Sequence, residues 1–292
     1  MDDAVDDVLG DQSNRSRHPR GNFNKKLVNI PLLSTGNVSS DADADAATIT
    51  HGNTYLQGDL VIPSAFLNPK ALIIFAFGGE SGTVRANPRN QYVVRILNDN
   101  GFATLLIDLL TPKEYDSDIE TQKTIGNFPG FVLNKFNIYI LAARLSAITD
   151  WVIENMIEVK DYPVGYFGTG VGTAAAMESS TTVYNPHAHK IFAIVSIGGR
   201  PDLSYHDTLR KVKASTLLIV GAKDSKLMID INRMALNQLK NAKHKDLVMI
   251  SDAGHLFDEG SIDQAVIIAA RWYASSLGNV FNKRNGSFIS GR

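Results

Sequence analysis

One feature limits the fold of this chain more than any other: from Lys26 onward, short continuous apolar runs alternate with longer segments of helical spacing. The runs at 27–30, 55–62, 71–77, 103–107, 164–167, 191–197, 217–220 and 247–250 read as strands. Helices are expected over 90–98, 138–155, 171–178, 226–239 and 262–277. Within the second of these, Ile138, Leu141, Leu145, Ile148 and Val152 form one apolar stripe at helical spacing. Strands that are apolar on both faces need covering on both faces, which a parallel sheet flanked by helices provides. No internal repeat or linker interrupts the run. The expectation is one α/β domain over residues 26–278, with a mostly parallel central sheet.

The two ends fit neither periodicity. Asp2, Asp3, Asp6, Asp7 and Asp11 precede Arg15, Arg17, Arg20, Lys25 and Lys26. Residues 1–25 are therefore expected to be a polar tail, either disordered or an arm that docks on a neighbouring subunit through its charges. Residues 279–292, with Phe281, Lys283, Arg284 and Phe288, are expected to be a C-terminal tail. Asp41, Asp43 and Asp45 alternate as in part of a calcium loop, but the loop's glycine and closing glutamate are missing, so a surface loop is expected.

Composition removes several function classes. A formal net charge of −1 gives no general attraction to nucleic acid. The apolar run 71–77 is far short of the about 20 residues that cross a bilayer. With no cysteine there is no disulfide, thiolate metal site or Cys nucleophile. The acidic start lacks the apolar core of a secretory signal, and a cytoplasmic protein is expected.

In open parallel sheets, ligands bind beyond the carboxyl ends of the strands. Three loops there carry chemistry. The run 164–167 leads into Gly168-Thr169-Gly170-Val171-Gly172 and an Ala-rich helix. The run 217–220 leads into Gly221-Ala222-Lys223-Asp224, and 247–250 into Ser251-Asp252-Ala253-Gly254-His255.

This order resembles the α/β-hydrolase fold, whose signature is a G-x-S-x-G elbow followed along the chain by an acid and then a histidine. More narrowly, the chain resembles the dienelactone-hydrolase-like branch, some members of which are fused to phosphoribosyltransferase domains. The stretches that carry the likeness are Gly101–Pro112, Val164–Gly168, Gly198-Gly199-Arg200-Pro201-Asp202, Leu217–Gly221 and Gly254-His255-Leu256-Phe257. The resemblance implies Asp224 as the acid of the triad and His255 as its base. It puts the family's serine nucleophile at Gly170, which has no side chain, so both partners are expected to be vestigial. It also implies an oxyanion hole from the backbone N–H groups of Gly79 and Val171. Where the family has His-Gly after the strand at 71–77, this chain has Phe77-Gly78-Gly79-Glu80, and Glu80 would bring a carboxylate near that hole. An elbow holds its central residue in strained backbone costing on the order of 1–3 kcal/mol, a strain that glycine does not feel.

Other readings carry less. The glycine turn lacks the third glycine or alanine of a dinucleotide fingerprint, and the next strand has no terminal acid for a ribose. His187 and His189 have no third ligand nearby, so no metal and no cofactor are expected. Arg200-Pro201-Asp202 reads as a residue near the cleft or as a salt-bridged turn, and Trp151 and Trp272 as core. The expectation for function is a catalytically inactive pseudoenzyme serving as a structural, assembly or binding subunit, with a homo-oligomer and a small-molecule ligand as its partners. The alternatives are a weak hydrolase of small esters or lactones using His255, Asp224 and water, and a small-molecule sensor.

Overall fold

The computed structural model describes residues 23–32, 55–64, 69–77, 84–125, 133–181, 185–205, 207–257 and 260–286. The expected N-terminal tail up to residue 22, the Asp41–Asp45 stretch, Gly79 and Glu80 lie outside these residues.

Eight strands form one sheet in the order β1-β2-β4-β3-β5-β6-β7-β8. β1 (Phe23–Pro31) and β2 (Tyr55–Pro63) pair antiparallel with Leu27 opposite Asp59, and β2 meets β4 (Ala103–Ile107) antiparallel with Leu60 opposite Leu105. Every other pairing is parallel, through β3 (Leu72–Ala76), β5 (Val164–Thr169), β6 (Ile191–Gly199), β7 (Ser215–Gly221) and β8 (Lys245–Ile250). The mostly parallel sheet expected from the apolar runs is therefore present, with two antiparallel strands on one edge.

The central strands are buried on both faces, and their two-residue period sorts side chains into two cores. Leu72 and Ile74 of β3 pack on one face with Leu105, Leu141, Leu145 and Tyr166. Ile73 and Phe75 pack on the other with Phe102, Leu106, Phe167 and Tyr273. The first core is covered by α3 (Ile138–Asn155), α4 (Gly170–Ser179) and α6 (Lys226–Gln238). The second is covered by α1 (Pro88–Asp99) and α7 (Ser261–Gly286). Trp151 and Trp272 are half-buried and pack against one core each. Side-chain caps start three of these helices: Asn87 accepts from Arg89 N–H, Asn137 from Ile140 N–H and Ser225 from Met228 N–H.

The elements differ from expectation at a few places. β1 begins at Phe23, inside the stretch read as tail, and α7 runs on to Gly286. α2 (Pro112–Ile125) is absent from the expected helices. It is started by a reciprocal cap in which Thr111 N–H donates to Glu114 Oε2 at 2.8 Å and Glu114 N–H donates to Thr111 Oγ1 at 3.3 Å. Arg144 of α3 then holds Glu114, donating from Nη1 to Oε2 at 2.8 Å. A four-residue helix α5 (Thr208–Lys211) follows β6. Among the described residues no helix is long and apolar enough to cross a membrane.

Candidate functional site

The site is built on the turn from β5 into α4. Thr169 is still extended, with φ −131° and ψ 152°, and Gly170 turns left-handed at φ 48°. A residue with a Cβ pays about 1–2 kcal/mol at such a φ, so the apex of this turn suits glycine. Gly172 answers a different constraint, since a Cβ there would sit 2.0 Å from the carbonyl oxygen of Ala76. The first turn of α4 is thus pressed against the end of β3. The apex is tied sideways as well: Arg200 N–H donates to the Gly170 carbonyl at 2.9 Å. Beneath it, the buried hydroxyls of Thr173 and Ser196 bond at 2.9 Å.

Asp224 and His255 come together because the loops after β7 and β8 are stitched to each other. Ala222 N–H donates to Ile250 O and Lys223 N–H to Ala253 O, both at 2.9 Å. His255 Nδ1 then lies 2.8 Å from Asp224 Oδ2, while Ser225 N–H donates to the other carboxylate oxygen at 2.6 Å. The Asp224 side chain is 3% exposed and the His255 side chain 51% exposed. An ionised carboxylate only accepts, so the ring proton is assigned to Nδ1 and the lone pair to Nε2. Two residues on, Phe257 has φ 51° and is buried in the second core. That left-handed backbone is unfavourable for a bulky residue, and ring burial holds it there. The buried ring thereby fixes the end of the loop that presents His255.

A cleft of about 400 Å³ lies over these groups. Phe77, Phe167 and Ile197 give it apolar walls, Gly170 and Val171 line it, and His255 lines it from the β8 side. The Phe77 and Phe167 rings meet edge-on at 6.4 Å, which accounts for an aromatic residue at position 77 as wall material. Arg200 fits both of its expected roles. It lines the cleft, and its Nε and Nη2 each donate to Asp202 at 2.8 Å, the hydrogen bonds to Asp202 holding the guanidinium above its ordinary pKa.

Sequence reasoning missed Arg89, Asn90 and Phe136, which also line the cleft. The Asn87-Pro88 start signal could have put the first turn of α1 at the strand ends; Phe136 carried no signal. It also missed Glu178 of α4, whose carboxylate accepts from Tyr205 N–H at 2.5 Å and from the Thr208 hydroxyl at 2.8 Å. Burial pushes this carboxyl above its ordinary pKa against those bonds and the attraction of Lys211. Glu178 thereby anchors the segment after β6 that forms one flank of the site. His187 lies at the opposite end of the sheet, where its Nδ1 bonds Asp150 at 2.8 Å. Among the described residues no group of three or more His, Cys, Asp or Glu is placed to hold a metal.

No family model matches the chain. A solved dienelactone hydrolase from Anabaena variabilis is 34% identical, with a TM-score of 0.67, over 87% of this chain and 98% of that one. A Pyrococcus furiosus esterase shares the fold at 15% identity, with a TM-score of 0.60 over 87% of this chain and 93% of its own. A dienelactone-hydrolase-like promiscuous phosphotriesterase from metagenomic libraries does so at 15% identity, with a TM-score of 0.56 over 86% of this chain and 98% of its own. In sequence, a Mycobacterium tuberculosis protein named "Putative phosphoribosyl transferase" is 36% identical over 230 residues. That match takes in 78% of this chain and 46% of the relative, so the chain spans about half the length of the curated relatives it matches.

Proposed function

The chain belongs to the dienelactone-hydrolase family of α/β-hydrolases, and we propose that it is a member that binds a small molecule in the family's cleft without serving as a serine hydrolase. One observation carries this reading. The apex of the β5–α4 turn, where the resemblance puts the nucleophile, is Gly170 in a left-handed conformation that favours glycine. An elbow without a side chain cannot form an acyl-enzyme at that position. The cleft is kept, and its walls are mostly apolar with a few polar groups, as in sites that hold small molecules. That favours a binding subunit over a purely structural one.

The reading extends to a homo-oligomer in the cytoplasm, in which the charged first 22 residues contact a neighbouring subunit. Deleting them should lower the assembled mass in solution; an unchanged mass removes the assembly arm.

A second reading is favoured by the intact His255–Asp224 bond at 2.8 Å. Here His255 Nε2 takes a proton from water, which attacks a bound ester or lactone. A panel of short-chain alkyl esters and lactones separates the two. On the binding reading, wild type and His255→Ala give the same background, while a library of small carboxylic acids, esters and lactones yields ligands that raise the melting temperature. Alkyl-ester turnover well above background that is lost in His255→Ala would establish the hydrolase and end the binding reading.

A further inference from the structure

We infer that His255 is itself a nucleophile of this cleft, able to take onto Nε2 the acyl group of donors that carry a good leaving group. The inference rests on the reading above only in requiring a cleft open to small molecules.

Three features point to this role. Nδ1 is committed to Asp224, whose carboxylate is almost wholly buried, so the lone pair sits on Nε2. The imidazole is half exposed and borders the same cleft as Gly170. Glycine at position 170 puts no side chain into the cleft beside it. Finally, the described lining offers almost no competitor. It contains no lysine, aspartate or glutamate, and one hydroxyl, that of Thr169.

The surroundings also suit the charge that would develop. α4 starts at the cleft, and Thr169 at its cap position makes no side-chain bond to the first amides. Those N–H groups have no partner within the helix, and with Arg200 they can stabilise an oxyanion.

In the transfer, the Nε2 lone pair attacks the acyl carbon, and the carbonyl electron pair moves onto oxygen. The tetrahedral species collapses, the bond to the leaving group breaks, and that group departs with its electron pair. An acyl imidazolium remains, its Nδ1 proton shared with Asp224. Water then adds to the acyl carbon, and the imidazole leaves with its electron pair restored. The products are a carboxylic acid and the protonated leaving group. An imidazole is expelled from the tetrahedral species more readily than an alkoxide, so alkyl esters fall back to reactants. The donor class is therefore aryl esters, thioesters and acyl phosphates.

The test treats the full-length protein with p-nitrophenyl acetate, with ethyl acetate in parallel, and with hydroxylamine present in a second series. Expected are nitrophenolate release that drops to background in His255→Ala and in His255→Gln, and a solvent deuterium isotope effect near unity, because no proton moves in the attack. Mass spectrometry during the first turnovers should place one acetyl group on His255, or hydroxylamine should yield more hydroxamate than the same reagents give with His255→Ala. Asp224→Asn should slow release, and ethyl acetate should give neither adduct nor turnover. Release no faster than in His255→Ala, acetylation confined to Thr169 or surface lysines, or release with a large isotope effect and no hydroxamate beyond that of His255→Ala would each overturn the inference. Turnover of ethyl acetate by wild type would instead refute the binding reading, and the adduct assay would still decide the role of His255.

Discussion

Replacing Gly170 tests the central structural argument through stability alone. At φ 48° a residue with a Cβ costs about 1–2 kcal/mol, because its Cβ crowds the carbonyl in the left-handed region. Part of this is offset, since removing glycine restricts the unfolded chain and contributes about 0.4–1 kcal/mol to stability. Gly170→Ala should therefore be destabilised by about 1 kcal/mol, which lowers the melting temperature of a domain this size by about 2–4 °C. The control is Gly254→Ala, where an added Cβ meets no atom within 4 Å and φ is not positive. It should be as stable as wild type or slightly more so. Urea unfolding followed by the fluorescence of Trp151 and Trp272 reads both variants. Gly170→Ser should show the same loss and, because His255 and Asp224 are already placed, gain hydrolysis of alkyl esters that disappears when His255→Ala is added. If Gly170→Ala proves as stable as Gly254→Ala, the apex holds no strain and the account of why glycine suits it is wrong.

Three further outcomes follow from particular contacts. Gly278 lies in α7, and a Cβ added there would meet no atom within 4 Å, so Gly278→Ala should stabilise the protein by up to about 1 kcal/mol in thermal or urea unfolding. Thr111→Ala removes half of the reciprocal cap on α2 and should cost about 1 kcal/mol, read the same way. Glu178 has a folded-state pKa above its ordinary 4.5, so folding favours its protonated form. Its contribution to stability is fully present below that ordinary value and is lost as pH rises through the raised one. Glu178→Gln should therefore flatten the fall in melting temperature over that interval while leaving the acidic end unchanged.

Much of the fold was legible because its strands are buried on both faces, and a parallel sheet leaves few other arrangements for apolar runs spaced by helices. Asp224 and His255 were legible for a local reason: each follows directly on the end of a parallel strand, where side chains converge. α2 escaped because its position is settled by a cap and by Arg144, thirty residues away, and not by a stripe of its own. Phe136 reaches the cleft through tertiary packing, which no spacing along the chain records. The left-handed φ of Phe257 was equally hidden, because it arises from burying the ring and not from any local preference.

The bonds that join the loops after β7 and β8 have a consequence on an evolutionary timescale. Ala222 and Lys223 pair with Ile250 and Ala253 through main-chain atoms, so the closeness of positions 224 and 255 is a by-product of loop architecture that the fold needs in any case. Selection for stability alone is therefore enough to keep the two positions together. Glycine codons GGU and GGC become serine codons by one base change. From either codon a hydroxyl at position 170 is one mutation away, and it would meet Asp224 and His255 already side by side.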